Sequence, residues 1–378
     1  MHGRNWKANR LEKFLASCDT GICRAVKLSG SRGKQANPPN PLHPMKITKL
    51  ITSIVTIITW CLAISQPTAI AAGQEGAKEG TKRKVVIGFI AKSLANDVFQ
   101  VAQAGAKDAA RELGQKYNVD VEVEIRTPNE EDAMKQAEAI GALTGRADGI
   151  AISCSDADTL TPSIDKAVSK GVAVMCFDSD APDSKRFAFY GTDDKACGQR
   201  TVDLLAKAMG EKGTIAILAG SQRAPNLQNR VAGAKEALAK YPNMKLIERG
   251  VFYHVEIPEK AAEFLQNAQA ANPEIQGWAM LGGWPLFTAD ALKWPPGSIK
   301  VVAVDALPSQ LVYVKKGYVE ALLAQDCYGW GTKSIDILLN KIINNQAPSE
   351  LKLIDPLTLV TKENVDSYGE NWKKWLKK

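Results

Sequence analysis

Two aspartates stand in the same local setting far apart in the chain. Asp178 follows the apolar run Val-Met-Cys-Phe and Asp305 follows Val-Val-Ala-Val. A carboxylate at the carboxyl end of a buried strand sits where open α/β sheets place their ligands, and it can accept hydrogen bonds from two adjacent hydroxyls. Each aspartate would equally serve to cap the loop or helix that follows it. A further polar group occupies the turn over residues 91–99, with Lys92, Ser93, Asn96 and Asp97 beside Phe99. Lys92 fits a solvated strand-end lysine as well as a ligand, and Phe99 fits a core-facing helix position as well as the wall of a site.

Other chemistries lack their residues. No G-x-G-x-x-G follows the first strand, which argues against a dinucleotide, and neither a P-loop nor G-x-S-x-G is present. Beyond residue 71 the only histidine is His254, and the four remaining cysteines, Cys154, Cys176, Cys197 and Cys327, match no zinc spacing. No D-x-D-x-D-G calcium loop occurs. No metal and no cofactor is therefore expected. Paired carboxylates could act on a glycosidic bond, but the expectation is a binder and not an enzyme. Cys154 and Cys176 fall near the ends of successive strands and could approach each other; buried free thiols are the expected state.

The elements that must hold these residues alternate regularly. Val85, Val86, Ile87, Phe89 and Ile90 form a run too short for a buried helix and rich in β-branched residues, which predicts a central parallel strand. Helices are then expected over residues 97–116, 130–144 and 159–170, with strands over 120–126, 148–153, 172–177 and 187–191. From Lys195 the rhythm restarts: helices over 195–210, 227–240, 258–271, 286–293 and 309–316, and strands over 214–219, 245–253, 277–281, 300–304 and 318–324. One more helix over 328–344, a strand over 354–360 and an amphipathic segment over 363–376 complete the chain. The fold class is α/β: two similar doubly wound parallel-sheet lobes.

The first 71 residues belong to neither lobe. From Met45 a basic start, the apolar stretch Leu50 to Ile64 and an Ala69-Ile70-Ala71 end match a secretory signal peptide over 45–71, with translation expected to start at Met45. The apolar stretch is shorter than the roughly 18 residues a membrane span needs. Residues 72–83 read as a charged tether. The leader carries ten of the 48 lysines and arginines but only two of the 41 acidic residues, leaving 38 against 39 and a net charge of −1. That balance argues against nucleic acid as a partner.

The order of motifs from Val85 to Thr361 resembles the type I periplasmic binding proteins of bacterial sugar ABC importers, the ribose-binding group related to lac repressor effector domains. The matching segments are VIGFIAKSLANDVF, ADGIAISCSDADTL, VAVMCFDSDAP, YGTDD, the R-x-x-G of Arg230 to Gly233, VVAVDALP and LLAQD. The resemblance implies a three-crossing hinge at Thr192, Gln325 and Asp355. Lobe one would comprise residues 84–192 with 326–354, and lobe two residues 193–325 with 355–378.

It also implies a ligand site. Asp178 and Asp305 fall at family ligand positions, Asn96 and Gln325 match its amides, Arg230 its arginine and Phe99 an aromatic wall. Trp284 stands near a family asparagine, Lys92 where a small hydroxyl residue is common, and Ser153 where asparagine is. These departures argue against ribose itself. What the resemblance implies is a monomeric periplasmic protein, not membrane-embedded when mature. It would deliver a monosaccharide or polyol to the permease and ATPase of an importer, or else act as an exported sugar sensor docking on a receptor kinase or chemoreceptor.

Overall fold

The computed structural model describes residues 82–375. The leader, the start at Met45, the cleavage near Ala71 and all but the end of the tether lie outside the described residues.

The predicted apolar strand forms β1 (Arg83–Ile90), with Val85, Ile87, Phe89 and Ile90 fully buried. Burial on both faces follows from the layers that cover it. α1 (Asp97–Lys116), β2 (Val119–Ile125), α2 (Ala133–Leu143), β3 (Gly149–Ile152), α3 (Ala157–Ser169), β4 (Ala173–Phe177) and β5 (Ala188–Gly191) follow in chain order. The second half runs α4 (Asp194–Met209), β6 (Gly213–Ala219), α5 (Pro225–Leu238), β7 (Met244–Tyr253), α6 (Pro258–Ala271), β8 (Gly277–Met280), β9 (Lys300–Val304), α7 (Pro308–Lys315) and β10 (Ala321–Ala324). α8 (Cys327–Asn344), β11 (Lys352–Ile354), β12 (Thr358–Val360) and α9 (Val365–Trp375) complete it.

The strands make two six-stranded sheets, ordered β11-β5-β4-β3-β1-β2 and β12-β10-β9-β8-β6-β7. All pairings are parallel except β10 with β12, which is antiparallel. Two α/β lobes of like construction result. The chain leaves the first sheet after β5, leaves the second after β10, and returns from β11 in the first to β12 in the second.

Local chemistry sets the helix starts. Asn96, Asp132, Asp156, Asp193 and Asp326 each accept a hydrogen bond from the first turn of the helix they precede, satisfying otherwise orphaned N–H groups. Prolines stand at the starts of α5, α6 and α7, where a missing N–H costs nothing. α8 packs backbone to backbone on α1: a Cβ at Gly331 would lie 1.9 Å from the Ala102 carbonyl oxygen, so only glycine fits.

Three expected elements differ. The helix over 286–293 is replaced by a single 3₁₀ turn, Trp284–Phe287, followed by irregular chain. Pro285 suits only a helix start, Asp290 takes a positive φ of 57°, and Pro295 and Pro296 follow, so no helix can propagate. The strand over 354–360 is two strands serving different sheets, because Asp355, Pro356 and Leu357 carry the chain between lobes. The strand over 318–324 begins only at Ala321, since Gly317 turns the chain with φ 77° just before it. Arg83, assigned to the tether, instead pairs with Val119 in the first sheet. The four cysteines among the described residues are buried free thiols, with the sulfurs of Cys154 and Cys176 3.9 Å apart.

Candidate functional site

Asp178 and Asp305 occupy the positions that strand-end reasoning gives them, directly after β4 and β9. Both adopt left-handed backbone, φ 56° and 70°, which aspartate tolerates better than β-branched residues and which turns each carboxylate away from its strand. Neither caps the helix that follows. Asp178 accepts from the Ser153 hydroxyl at 2.6 Å and from the Asn226 side-chain amide at 3.1 Å. Asp305 accepts from the Gly283 backbone N–H at 3.2 Å and from the Gln325 amide at 2.7 Å. Burial pushes both carboxyls above their usual range; Lys92 and Arg230 counteract it at Asp178, and Arg230 with Gln325 at Asp305.

Arg230, on the inward face of α5, links these two centres. Its Nε donates to Asp194 at 2.8 Å and its two terminal nitrogens to the Leu281 carbonyl and the Gln325 side-chain oxygen. That approach requires α5 to lie against α4 closely enough for a Cβ at Gly198 to fall 1.9 Å from the Arg230 carbonyl oxygen. Burial opposes the guanidinium charge, yet Asp194, Cys197, Asp178 and Asp305 hold its pKa above the ordinary arginine value. Burial pushes Asp194 up to about 7 despite Arg230. Gln325 is the hub: its oxygen accepts from Thr192 at 3.1 Å and from Arg230 at 2.7 Å while its nitrogen serves Asp305.

Lys92, whose position at a strand end suits a solvated lysine as well as a ligand, is buried. Its ammonium lies 3.4 Å from both oxygens of Glu256, which follows β7 in the opposite lobe, and 5.9 Å from the centre of the Phe99 ring. Burial works against its charge, but Glu256, Glu131 and Asp178 keep it protonated, its pKa above the ordinary lysine value. Phe99 itself belongs to the first lobe's core, its ring 6.1 Å from that of Trp330. Asn96 is buried and caps α1 through its side-chain oxygen.

Trp284 is buried against the second lobe. A Cβ at Gly282 would meet its ring at 2.3 Å, and the His254 ring stands edge-on at 5.0 Å. Thr192 and Gln325 touch, and the Asp355 N–H donates to the Gly191 carbonyl at 2.8 Å, so the three crossing residues gather on neighbouring segments.

Four contributors escaped sequence reasoning. Asn226 sits in the first turn of α5, well beyond the end of β6 at Ala219, where strand-end reasoning does not reach. Asp194 was inside the quoted YGTDD segment. Glu256 and Glu131 lie in loops, with no local signal to distinguish them from solvated acids. A cavity of about 510 Å³ opens between the lobes, lined by Ser93, Glu131 and Asp156 from the first and by Ser221, His254 and Glu256 from the second. Asp178, Arg230 and Asp305 lie outside its lining, and Gln325 bridges the last two.

A periplasmic binding protein domain model matches residues 87–346, most of the chain. The chain belongs to the periplasmic binding protein family. The D-allose-binding periplasmic protein of Escherichia coli K12 is 26% identical over 292 residues, covering 72% of this chain and 91% of that protein. The D-ribose/D-allose-binding protein of Pseudomonas aeruginosa is 25% identical, covering 74% and 90%. Among solved structures, an ABC transporter solute-binding protein of Burkholderia graminis in complex with D-arabinose superposes with a TM-score of 0.70 at 27% identity, covering 76% of this chain and 98% of that one. Family membership accounts for the paired sheets and the crossings, and it makes the interlobe region the place to seek a ligand.

Proposed function

We propose that this protein captures a monosaccharide or related polyol between its lobes outside the cytoplasm and delivers it to an ABC importer. The observation that carries the reading is the pair of buried strand-end carboxylates, Asp178 and Asp305, one from each lobe, with Arg230 and Gln325 between them. A sugar hydroxyl both donates and accepts, so carboxylates that accept, beside a guanidinium that donates, complement adjacent hydroxyls. Asn96, Ser153, Lys92, Phe99 and Trp284 would complete the walls. The relatives support this class: their names specify D-allose, D-ribose, xylitol and D-apiose. They are binding proteins, in keeping with a chain that performs no catalysis. They lend no support to the sensor alternative.

Motion about Thr192, Gln325 and Asp355 would report occupancy. A ligand that contacts both lobes favours the closed form by its differential affinity. The test is a thermal-shift screen of D-allose, D-ribose, D-arabinose, xylitol and further pentoses and hexoses, followed by small-angle scattering with each hit. The expected result is a higher melting temperature together with a smaller radius of gyration. Stabilisation without compaction would place the ligand in one lobe, and no hit among sugars and polyols would overturn the assignment.

A further inference from the structure

The far side of the first lobe carries a second concave region of about 600 Å³, at the amino ends of the strands and remote from Asp178. Its lining includes five cations, Arg83, Arg146, Lys170, Lys185 and Lys341, and one acid, Asp148. The described residues together hold 35 lysines and arginines against 37 acids, so this concentration is local. Arg83 opens β1, Arg146 follows α2, Lys170 ends α3, Lys185 precedes β5 and Lys341 lies in the last turns of α8.

A simpler origin for such charges is the fold itself. The carboxyl ends of α2, α3 and α8 all emerge here, and each presents roughly half a negative charge that a cation offsets. Three such ends and Asp148 answer about half of the five positive charges. Arg146 is further paired with Glu124, Arg83 lies 3.8 Å from Asp148, and the Lys341 ammonium donates to Asn345. Lys170 and Lys185 have no acidic side chain within ion-pair distance among the described residues, and both are exposed. A surplus of positive charge therefore faces a concavity, where converging field lines strengthen it.

The geometry points to a second site, for a phosphate-bearing anion, formed by Lys170 and Lys185 with Arg83 and Lys341 at its sides. Several cations around one concavity suit a group with several anionic oxygens better than a single carboxylate. A lipid headgroup and a soluble phosphate share that chemistry. This proposal does not rest on the sugar reading, since none of its residues touches the interlobe region.

Isothermal titration with pyrophosphate, and co-sedimentation with vesicles of phosphatidylglycerol and phosphatidylcholine in equal parts, test it on the intact protein. The wild type is expected to bind at least one probe at low salt and to release it at high salt. The double variant Lys170→Glu/Lys185→Glu is expected to lose at least about tenfold in that affinity, while keeping its melting temperature and any sugar-induced shift. Vesicle binding displaced by pyrophosphate assigns the site to headgroups, and pyrophosphate binding alone assigns it to a soluble anion. Binding of neither probe, or equal binding by the double variant or by a milder Lys185→Gln variant, overturns the proposal.

Discussion

The Lys92 ammonium of the first lobe lies equidistant, at 3.4 Å, from both carboxylate oxygens of Glu256 in the second. Both side chains are buried, and the same Glu256 also accepts from the Ser221 backbone N–H. An ion pair whose members belong to different lobes exists only while the lobes are together. It therefore contributes to closure and not to either lobe alone.

Lys92→Met should open the molecule. Removing one member strands the buried Glu256 carboxylate, at a cost of about 3–5 kcal/mol, whereas removing both takes that charge away as well and leaves only the weaker loss at Glu131 and Asp178. Scattering should show a larger radius of gyration and melting a lower midpoint for Lys92→Met, with Lys92→Met/Glu256→Gln recovering much of both. A single variant as compact and as stable as the double one would refute the interlobe role.

Asp178→Asn and Asp305→Asn should each weaken sugar binding by more than tenfold, as expected when a charged hydrogen-bond partner worth about 2–5 kcal/mol is lost. Asparagine is the better choice than alanine because both positions have positive φ, which asparagine tolerates. Calorimetry against the screened ligand reads the effect, and circular dichroism verifies the fold. Unchanged affinity would remove that aspartate from the site.

Gln325→Leu should destabilise the protein and weaken binding together. It strips Thr192, Arg230 and Asp305 of one partner each, and every buried polar group so orphaned costs about 1–3 kcal/mol. Urea denaturation of the free protein would detect the first effect. A wild-type midpoint would mean that water replaces the amide and that the hub is dispensable.

Stability should fall as pH rises from mildly acidic towards neutral. Burial and Glu256 push Glu131 from its ordinary 4.5 up to about 7, against the pull of Lys92, and burial does the same to Asp194. The folded protein then holds more protons than the unfolded chain between pH 4.5 and about 7, so stability fully present below that window is lost across it. Glu131→Gln should flatten this part of a melting-temperature profile. An identical slope in the variant would show that Glu131 titrates normally.

Much of this arrangement was legible in the chain because strand ends advertise themselves. Asp178 and Asp305 follow four apolar residues each, and parallel-sheet logic then directs them to one edge. Asn226 follows no strand directly and hides behind Pro225, which announces only a helix start. Glu256 gains its meaning from Lys92, 164 residues earlier, and pairing across lobes leaves no trace in local sequence. The stretch after Trp284 misled for another reason: its apolar spacing suits a helix, but the prolines and the left-handed Asp290 leave the backbone without a helical path. The strand over 354–360 read as one because its apolar residues are contiguous but for Asp355, Pro356 and Thr358, and nothing local says that its halves serve two sheets.

That division of β11 from β12 governs how the protein comes into being. β11 supplies the edge of the sheet that β1 opens, and β12 the edge of the other, with three residues between them. A nascent chain emerging amino end first cannot finish its first lobe until residue 354 is made, nor its second until residue 360. Until then each sheet has a bare edge, and the contact still outstanding in the first, Lys352 with Phe189, spans well over a hundred residues, which makes its closure slow. The two sheets thus receive their last strands within a few residues of each other in the chain.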